Sequence, residues 1–341
     1  MNILIVRVSS LGDVVHNMPM VSDIRRHYPD ANIDWVVEEG YVSLVRLNPD
    51  VRRIIPFALR RWRKNLFSLA TRNEMSEFRS LLRLEEYDLV FDTQGLLKTG
   101  IVMRMARLAP NGKRVGLANA TEGSGYEPIS RVFHTMSVAV GLRTHAVLRA
   151  RQVAAKALGY SAEGPADFNL QMAGVASKQS PLWLTKQPYA VFFHGTARAE
   201  KQWAFDNWVS IARLLATFDL QVLLPWGSED EKKTAEKMAE KMPNARVLPR
   251  LPLMEAVMLA QRAALVVGVD TGLTHVAAAF NRPTIELYCD SPRWKTEGDW
   301  SANIINLGDE GTSPTVDEVE RAVHILLHSM DKIDASRSDV V

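Results

Sequence analysis

Among 341 residues there is one cysteine, Cys289. A lone thiol excludes an internal disulfide and fits a reducing compartment. No apolar run approaches the ~20 residues needed to span a bilayer. The first apolar run, Ile3-Leu4-Ile5-Val6, is cut off by Arg7, so the N-terminus reads as a core strand and not as a secretory signal. Cysteine and histidine are nowhere clustered at zinc-site spacing, which argues against a structural metal. Glycine-rich phosphate loops are also missing. No strand is followed by G-x-x-x-x-G-K-[ST], and none by G-x-G-x-x-G with an acid ~20 residues on. The second absence weighs against an NAD-dependent oxidoreductase.

What is present is a soluble globular composition, 47% apolar and 23% charged, on a chain whose length favours two domains. Short β-branched runs alternate with amphipathic stretches. Strands are expected at Ile3–Val6, Ile33–Val37, Leu89–Asp92, Tyr189–Phe193, Val222–Leu224, Leu265–Val269 and Thr284–Leu287. Most are continuous apolar runs, as in parallel sheets covered on both faces. Helices are expected at Asp206–Phe218 behind a capping Asp206, at Glu229–Met242, and at Val316–Met330. The alternation breaks in GYSAEGPADF and SKQSPLWLTKQP, rich in Gly, Ser, Pro and Lys. We therefore expect an α/β protein with one doubly wound domain over 1–172, a linker over 173–188, a second domain over 189–330, and a frayed tail over 331–341.

Charge divides unevenly between the halves. Residues 1–175 carry 23 Lys and Arg against 17 Asp and Glu, while residues 176–341 carry 18 against 22. The densest run is VRRIIPFALRRWRK, residues 51–64, with no acid. A solvated face is the ordinary meaning of such a run. Trp62 and the apolar IIPFAL within it also suit a surface that meets an anionic, amphiphilic partner. No nucleic-acid motif accompanies it, so a nucleic-acid partner is not expected.

Ligands of open α/β sheets bind beyond the carboxyl ends of strands. The polar residues there are few. In VSSLGDVVHNMP, Asp13 stands between a first strand and a first helix, where it is either an N-cap or a working carboxylate. Glu38-Glu39-Gly40 and Asp92-Thr93-Gln94-Gly95 follow later strands. In VGVDTGLTHVAAAF an apolar strand runs into Asp270-Thr271-Gly272, with His275 one turn into the next helix. Gly272 allows close backbone approach, and the free amides at that helix start favour phosphate. FFHGTARAEKQW adds Thr196 at a strand end and Lys201, a point charge suited to a diphosphate. LPWGSEDEKK offers Glu231, either a sugar acceptor of hydrogen bonds or an acid favouring the helix dipole.

In this order, VSSLGDVVHNMP, WVVEEGY, RRWRK, DTQGLLK, HGTARAEKQW, LPWGSEDE and VDTGLTHVAAA resemble the lipopolysaccharide heptosyltransferases, over nearly the whole chain. The resemblance implies a GT-B fold, two Rossmann-like domains facing a central cleft, with acceptor on the N-terminal domain and ADP-heptose on the C-terminal one. It implies an inverting, metal-independent transfer with no cofactor beyond the donor. WVVEEGY and RRWRK point within the family to heptosyltransferase I, which adds the first heptose to Kdo on lipid A. That acceptor is an anionic glycolipid, so the enzyme is expected at the cytoplasmic face of the inner membrane as a peripheral protein. Asp13 occupies the position of the family's proposed general base.

The same resemblance assigns donor binding to Thr196, Lys201, Glu231, Leu251, Asp270, Thr271, Gly272 and His275. In catalysis Lys201 joins Asp13, meeting the charge of the leaving ADP. Acceptor binding falls to Arg60, Arg61, Arg63, Lys64, Gln94 and Lys98. Two positions depart from the family pattern. Ala197 replaces a second threonine, and Leu251 stands where methionine is expected near the adenine. The rivals are heptosyltransferase II, whose acceptor already carries one heptose, and a non-catalytic binder of anionic glycolipid.

Overall fold

In a computed structural model the chain is described over residues 1–172, 181, 183–185, 187–196 and 198–338, with side chains as far as residue 328. Most of the expected linker, 173–180 with 182 and 186, and Ala197 lie outside the described residues. The chain forms two compact units, Met1–Ala173 and Gly174–Val341.

The first unit holds β1 (Asn2–Val6), β2 (Asn32–Glu38), β3 (Val51–Phe57), β4 (Glu86–Asp92), β5 (Arg107–Leu117) and β6 (Met136–Val138). They form one parallel sheet in the order β3-β2-β1-β4-β5-β6. The second unit holds β7 (Tyr189–Phe193), β8 (Gln221–Leu224), β9 (Ala245–Val247), β10 (Leu265–Val269), β11 (Thr284–Tyr288) and β12 (Ile304–Gly308). Its parallel sheet runs β12-β11-β10-β7-β8-β9. Ranked within each unit, both orders are the doubly wound one, 3-2-1-4-5-6. The strand order of each sheet therefore reverses once, between β1 and β4 in the first unit and between β7 and β10 in the second.

Burial explains which strands the sequence reveals. Ile3, Leu4, Ile5 and Val6 are all 0% exposed, as are Leu265, Val266 and Val267, so central strands read as unbroken apolar runs. Five strands went unanticipated: β3, β5, β6, β9 and β12. Four of them are sheet edges, where one side of the strand lacks a partner and polar residues are admitted. The fifth, β5, carries Pro110, Asn111 and Gly112 at an irregularity in its pairing with β4.

The helix Phe205–Ala216 buries Trp208, Ile211 and Leu215 against the sheet, with Ala235, Met238 and Met242 in the same core. Asp206 lies inside its first turn, behind Ala204 as cap, and so favours the dipole without capping. The acidic helix runs Glu229–Ala239. The last helix continues from Val316 to Ser338, past the point where a frayed tail is expected.

Candidate active site

In the first unit, Val6 pairs with Asp92, so Arg7 and Thr93 leave the sheet side by side at the switch point. The Arg7 guanidinium is buried, donates to the Thr93 carbonyl at 2.5 Å, and meets Asp13 Oδ1 at 2.5 Å. Asp13 is the third residue of the helix Leu11–His16. Its Oδ2 accepts from the backbone N–H and the hydroxyl of Ser10, both at 2.9 Å. The cap residue is therefore Ser10, and Asp13 is the acid of a capping box, S-x-x-D, reaching back over the helix start. Its side chain keeps 36% exposure beside an Arg7 that keeps 5%. Burial works against the Asp13 carboxylate, but Arg7 and Ser10 outweigh it and hold its pKa well below the usual range. Asp13 is thus ionised, anchored and still open to a ligand.

Gln94 ties the two strand ends together, since its Oε1 accepts from the Val8 N–H at 3.2 Å. Its neighbour Asp92 is fully buried and accepts from Gln94 N, Gly95 N and the Thr99 hydroxyl at 2.9–3.0 Å. Burial nonetheless pushes its pKa up to about 6. Lys98, half-buried, reaches the Ser9 hydroxyl at 3.4 Å. Burial and the nearby Arg63 lower its pKa, with Glu38 opposing.

The basic run does not form one cationic face. Arg52 and Arg53 belong to β3 and pair with Asp34, which is 0% exposed. Arg61 lies bidentate on Glu39 at 3.1 Å and also binds Glu74. Trp62, expected at an interface, is 3% exposed; it packs edge-on against Phe57 and donates its indole N–H to Glu74 at 2.8 Å. Arg60 stands over the Tyr41 ring, and with Lys64 borders a hollow that also holds Glu38 and Glu39. Arg60, Arg63 and Lys64 remain exposed.

In the second unit, Phe193 pairs with Gly268, which brings His194-Gly195-Thr196 beside Asp270 at the other switch point. Gly268 has to be glycine: a Cβ there would lie 2.1 Å from the hydroxyl of Thr274, which bonds the Val269 carbonyl and seats the helix Gly272–Ala279 on its own strand. Thr271 caps that helix. Lys201 binds Asp270 Oδ2. Asp270 Oδ1 faces His275 Nε2 at 3.1 Å, and His275 Nδ1 faces Glu286 Oε1 at 2.9 Å. Glu286 Oε2 accepts from the Tyr288 hydroxyl at 3.1 Å and from Gly298 N at 2.9 Å.

With a carboxylate on each ring nitrogen, both nitrogens of His275 donate and the ring is an imidazolium. Burial disfavours that charge, yet Glu286 and Asp270 push its pKa up to about 10. Asp270 is held far below the usual range because His275 and Lys201 outweigh its burial. The structure therefore joins Lys201, Asp270 and His275 into one chain of charge at the strand end.

Glu231 forms the second capping box. Its Oε2 accepts from Gly227 N at 2.6 Å, and the Ser228 hydroxyl accepts from Glu231 N at 3.3 Å. Its other oxygen lies over Gly195, where a Cβ would sit 2.6 Å from it. Thr196 is partly buried at the same strand end. Leu251, also partly buried, stands ahead of the helix Leu253–Arg262 and takes no part in this network. Sequence reading misses Arg7 and Glu286 as site residues, and it places Asp92 at a ligand-facing strand end without giving it a role. The clue to Glu286 was present, a carboxylate centred in the apolar strand TIELY.

No helix among the described residues is long and apolar enough to cross a membrane, and no metal-holding cluster of His, Cys, Asp or Glu occurs among them. Residues 75–325 match the model of glycosyltransferase family 9 (heptosyltransferase). Lipopolysaccharide heptosyltransferase 1 of Pseudomonas aeruginosa is 38% identical over 289 residues, 84% of this chain and 78% of that one. Lipooligosaccharide heptosyltransferase 2 of Haemophilus influenzae is 26% identical over 318 residues, 90% of this chain and 89% of that one. Among solved structures, the E. coli heptosyltransferase WaaC with ADP superposes with a TM-score of 0.82 at 32% identity, covering 96% of this chain and all of that one. The fold is GT-B, and the chain belongs to glycosyltransferase family 9, the heptosyltransferases.

Proposed function

We propose that this chain transfers heptose from ADP-heptose to Kdo on an anionic lipid-linked acceptor, adding the first heptose of the lipopolysaccharide inner core by an inverting, metal-independent reaction. One observation carries the reading: a named type 1 relative is 38% identical, against 26% for the type 2 relative. The WaaC structure with ADP supports an adenosine diphosphate sugar as donor.

The residues support a division of labour. Asp13 takes the proton of the acceptor hydroxyl while that oxygen bonds to the anomeric carbon and the bond to ADP breaks. Arg7 keeps the carboxylate ionised. A carboxylate of low pKa is a weak base toward a free alcohol, so proton transfer comes late, once the forming bond has made the hydroxyl acidic. No second carboxylate is required to protonate the leaving group, because ADP leaves as a stable anion. Its growing charge is met by Lys201 and by the amides at the start of the helix Gly272–Ala279. Asp270 and His275 position Lys201, while Thr196, Glu231 and Leu251 complete the donor site. Arg60, Arg63, Lys64, Gln94 and Lys98 face the acceptor. The exposed cations suit peripheral binding at the anionic cytoplasmic surface of the inner membrane. Arg61, already held by Glu39 and Glu74, shapes this surface more than it adds charge.

The test is turnover of ADP-heptose with Kdo-lipid A and with an acceptor already bearing one heptose. We expect ADP release with the first alone, inverted anomeric configuration by NMR, and full activity in EDTA. Activity only on the heptosylated acceptor would assign the chain to the second step. Retained configuration, or loss of activity in EDTA, would overturn the mechanism.

A further inference from the structure

A cavity of about 530 Å³ opens in the first unit between the helices Leu69–Leu82 and Leu97–Met105. That volume falls in the range of about 300–1,000 Å³ typical of small-molecule sites. Its floor is aromatic and buried: Phe57, Trp62 and Phe78. Its rim is apolar and exposed: Met75 at 41%, Leu97 at 42% and Ile101 at 46%. Nearby in sequence, at and just ahead of the start of the first of these helices, Leu66, Phe67 and Leu69 are also exposed, at 47%, 87% and 76%. Soluble monomers seldom present so many large apolar side chains together unless something covers them.

One end of the cavity is polar. Arg63 and Lys98 line it with Glu127. Glu127 already accepts from the Leu97 N–H at 2.6 Å. Burial and the nearby Arg63 both disfavour the charge on Lys98, with Glu38 and Glu127 opposing them. This end therefore suits an anion, while the rest suits a hydrocarbon. It also leads to the catalytic carboxylate: Lys98 reaches Ser9, and the adjoining Ser10 holds Asp13.

We propose that this groove binds one acyl chain of the acceptor, with Arg63 and Lys98 gripping the anionic head from which that chain hangs. The proposal rests on the lipid-linked acceptor put forward above. It explains why Met75, Leu97 and Ile101 stand exposed at the rim of this groove and why its polar end is cationic. Trp62 then serves as an aromatic wall of the lipid site.

Three measurements test it. Dodecyl phosphate, kept below its micellar concentration, is titrated against the wild type and Ile101→Glu, following tryptophan fluorescence with Trp62→Phe as the blank. Ile101 is half-exposed at the rim, so a charge there spoils the groove without entering the core. We expect saturable one-to-one binding that weakens at least tenfold in Ile101→Glu. Equal binding by both proteins, or no saturable binding, overturns the proposal. Turnover is then compared between acylated and delipidated Kdo acceptors. Wild type is expected to show a KM about tenfold lower for the acylated acceptor, and Ile101→Glu to lose that preference while keeping its rate on the delipidated one. An unchanged preference overturns the proposal. If wild type turns over neither acceptor, the functional reading fails, and the dodecyl phosphate titration still decides whether the groove takes an alkyl chain with an anionic head. A dimer in sedimentation that Ile101→Glu dissolves would instead make the groove a contact between copies and would also overturn the proposal.

Discussion

Two carboxylates, Asp13 and Asp270, lie near the two switch points, Asp13 in the helix after β1 and Asp270 at the end of β10, and each is kept ionised by a buried cation. Arg7 does this for Asp13 at 2.5 Å, and His275 for Asp270 at 3.1 Å. If Arg7 sets the proton affinity of the base, Arg7→Gln should move the acid limb of kcat/KM upward by about 1–3 pH units, the usual effect of an adjacent arginine on an aspartate. An acid limb unchanged from wild type would show that Arg7 does not govern Asp13. His275 makes a second prediction. Folding raises its pKa from 6.5 to about 10, so its contribution to stability is whole below about 6.5 and is lost as pH rises through about 10. Melting temperature should therefore decline in alkali more steeply for wild type than for His275→Gln. Parallel profiles would contradict a doubly bonded imidazolium.

At the scale of elements, the same short device serves both units. Ser10-x-x-Asp13 and Ser228-x-x-Glu231 are capping boxes placed directly after strand ends, so a local helix-start rule delivers a carboxylate to each site. The spacing is plain in the sequence, yet read alone it cannot separate a cap from a working group, because a carboxylate that caps a helix can also face a ligand. The edge strands show a different limit. VRRIIPF looks like a charge run because β3 pairs with β2 alone, and the partner of its arginines, Asp34, is distant in sequence and buried on β2. Trp62 escapes for a related reason: beside Phe57 of its own run, its surroundings are Glu74 and Phe78, on the next helix Leu69–Leu82. Central strands, the Asp270-Thr271-Gly272 turn and the apolar helix faces were legible because their causes are local. Trp62→Ala should cost about 3–5 kcal/mol in chemical unfolding, the usual loss for a buried aromatic. A cost within about 0.5 kcal/mol, typical of a surface change, would restore the interface reading.

For the whole molecule, the proposed reaction is divided between the two units, acceptor on the first and donor on the second. The charge asymmetry of the halves fits that division, although Arg7, Arg52, Arg53, Arg61 and Arg151 are committed to internal carboxylates. Hydrogen exchange with saturating ADP should slow at Thr196–Lys201 and Thr271–His275 and leave the amides around Asp13 unchanged. At about 100 times Kd, ligand linkage should stabilise the donor-binding unit by about 2.7 kcal/mol. Protection centred on residues 8–16 would reverse the assignment of donor and acceptor. The most direct test of the central claim is the Asp13→Asn variant, assayed for turnover and, by calorimetry, for ADP binding. Asparagine preserves the hydrogen bonds to Ser10 but cannot take the proton, so kcat should fall by about 10²–10⁴ while ADP binds as it does to wild type. Turnover close to wild type, with ADP binding intact, would reduce Asp13 to a helix cap and contradict the account.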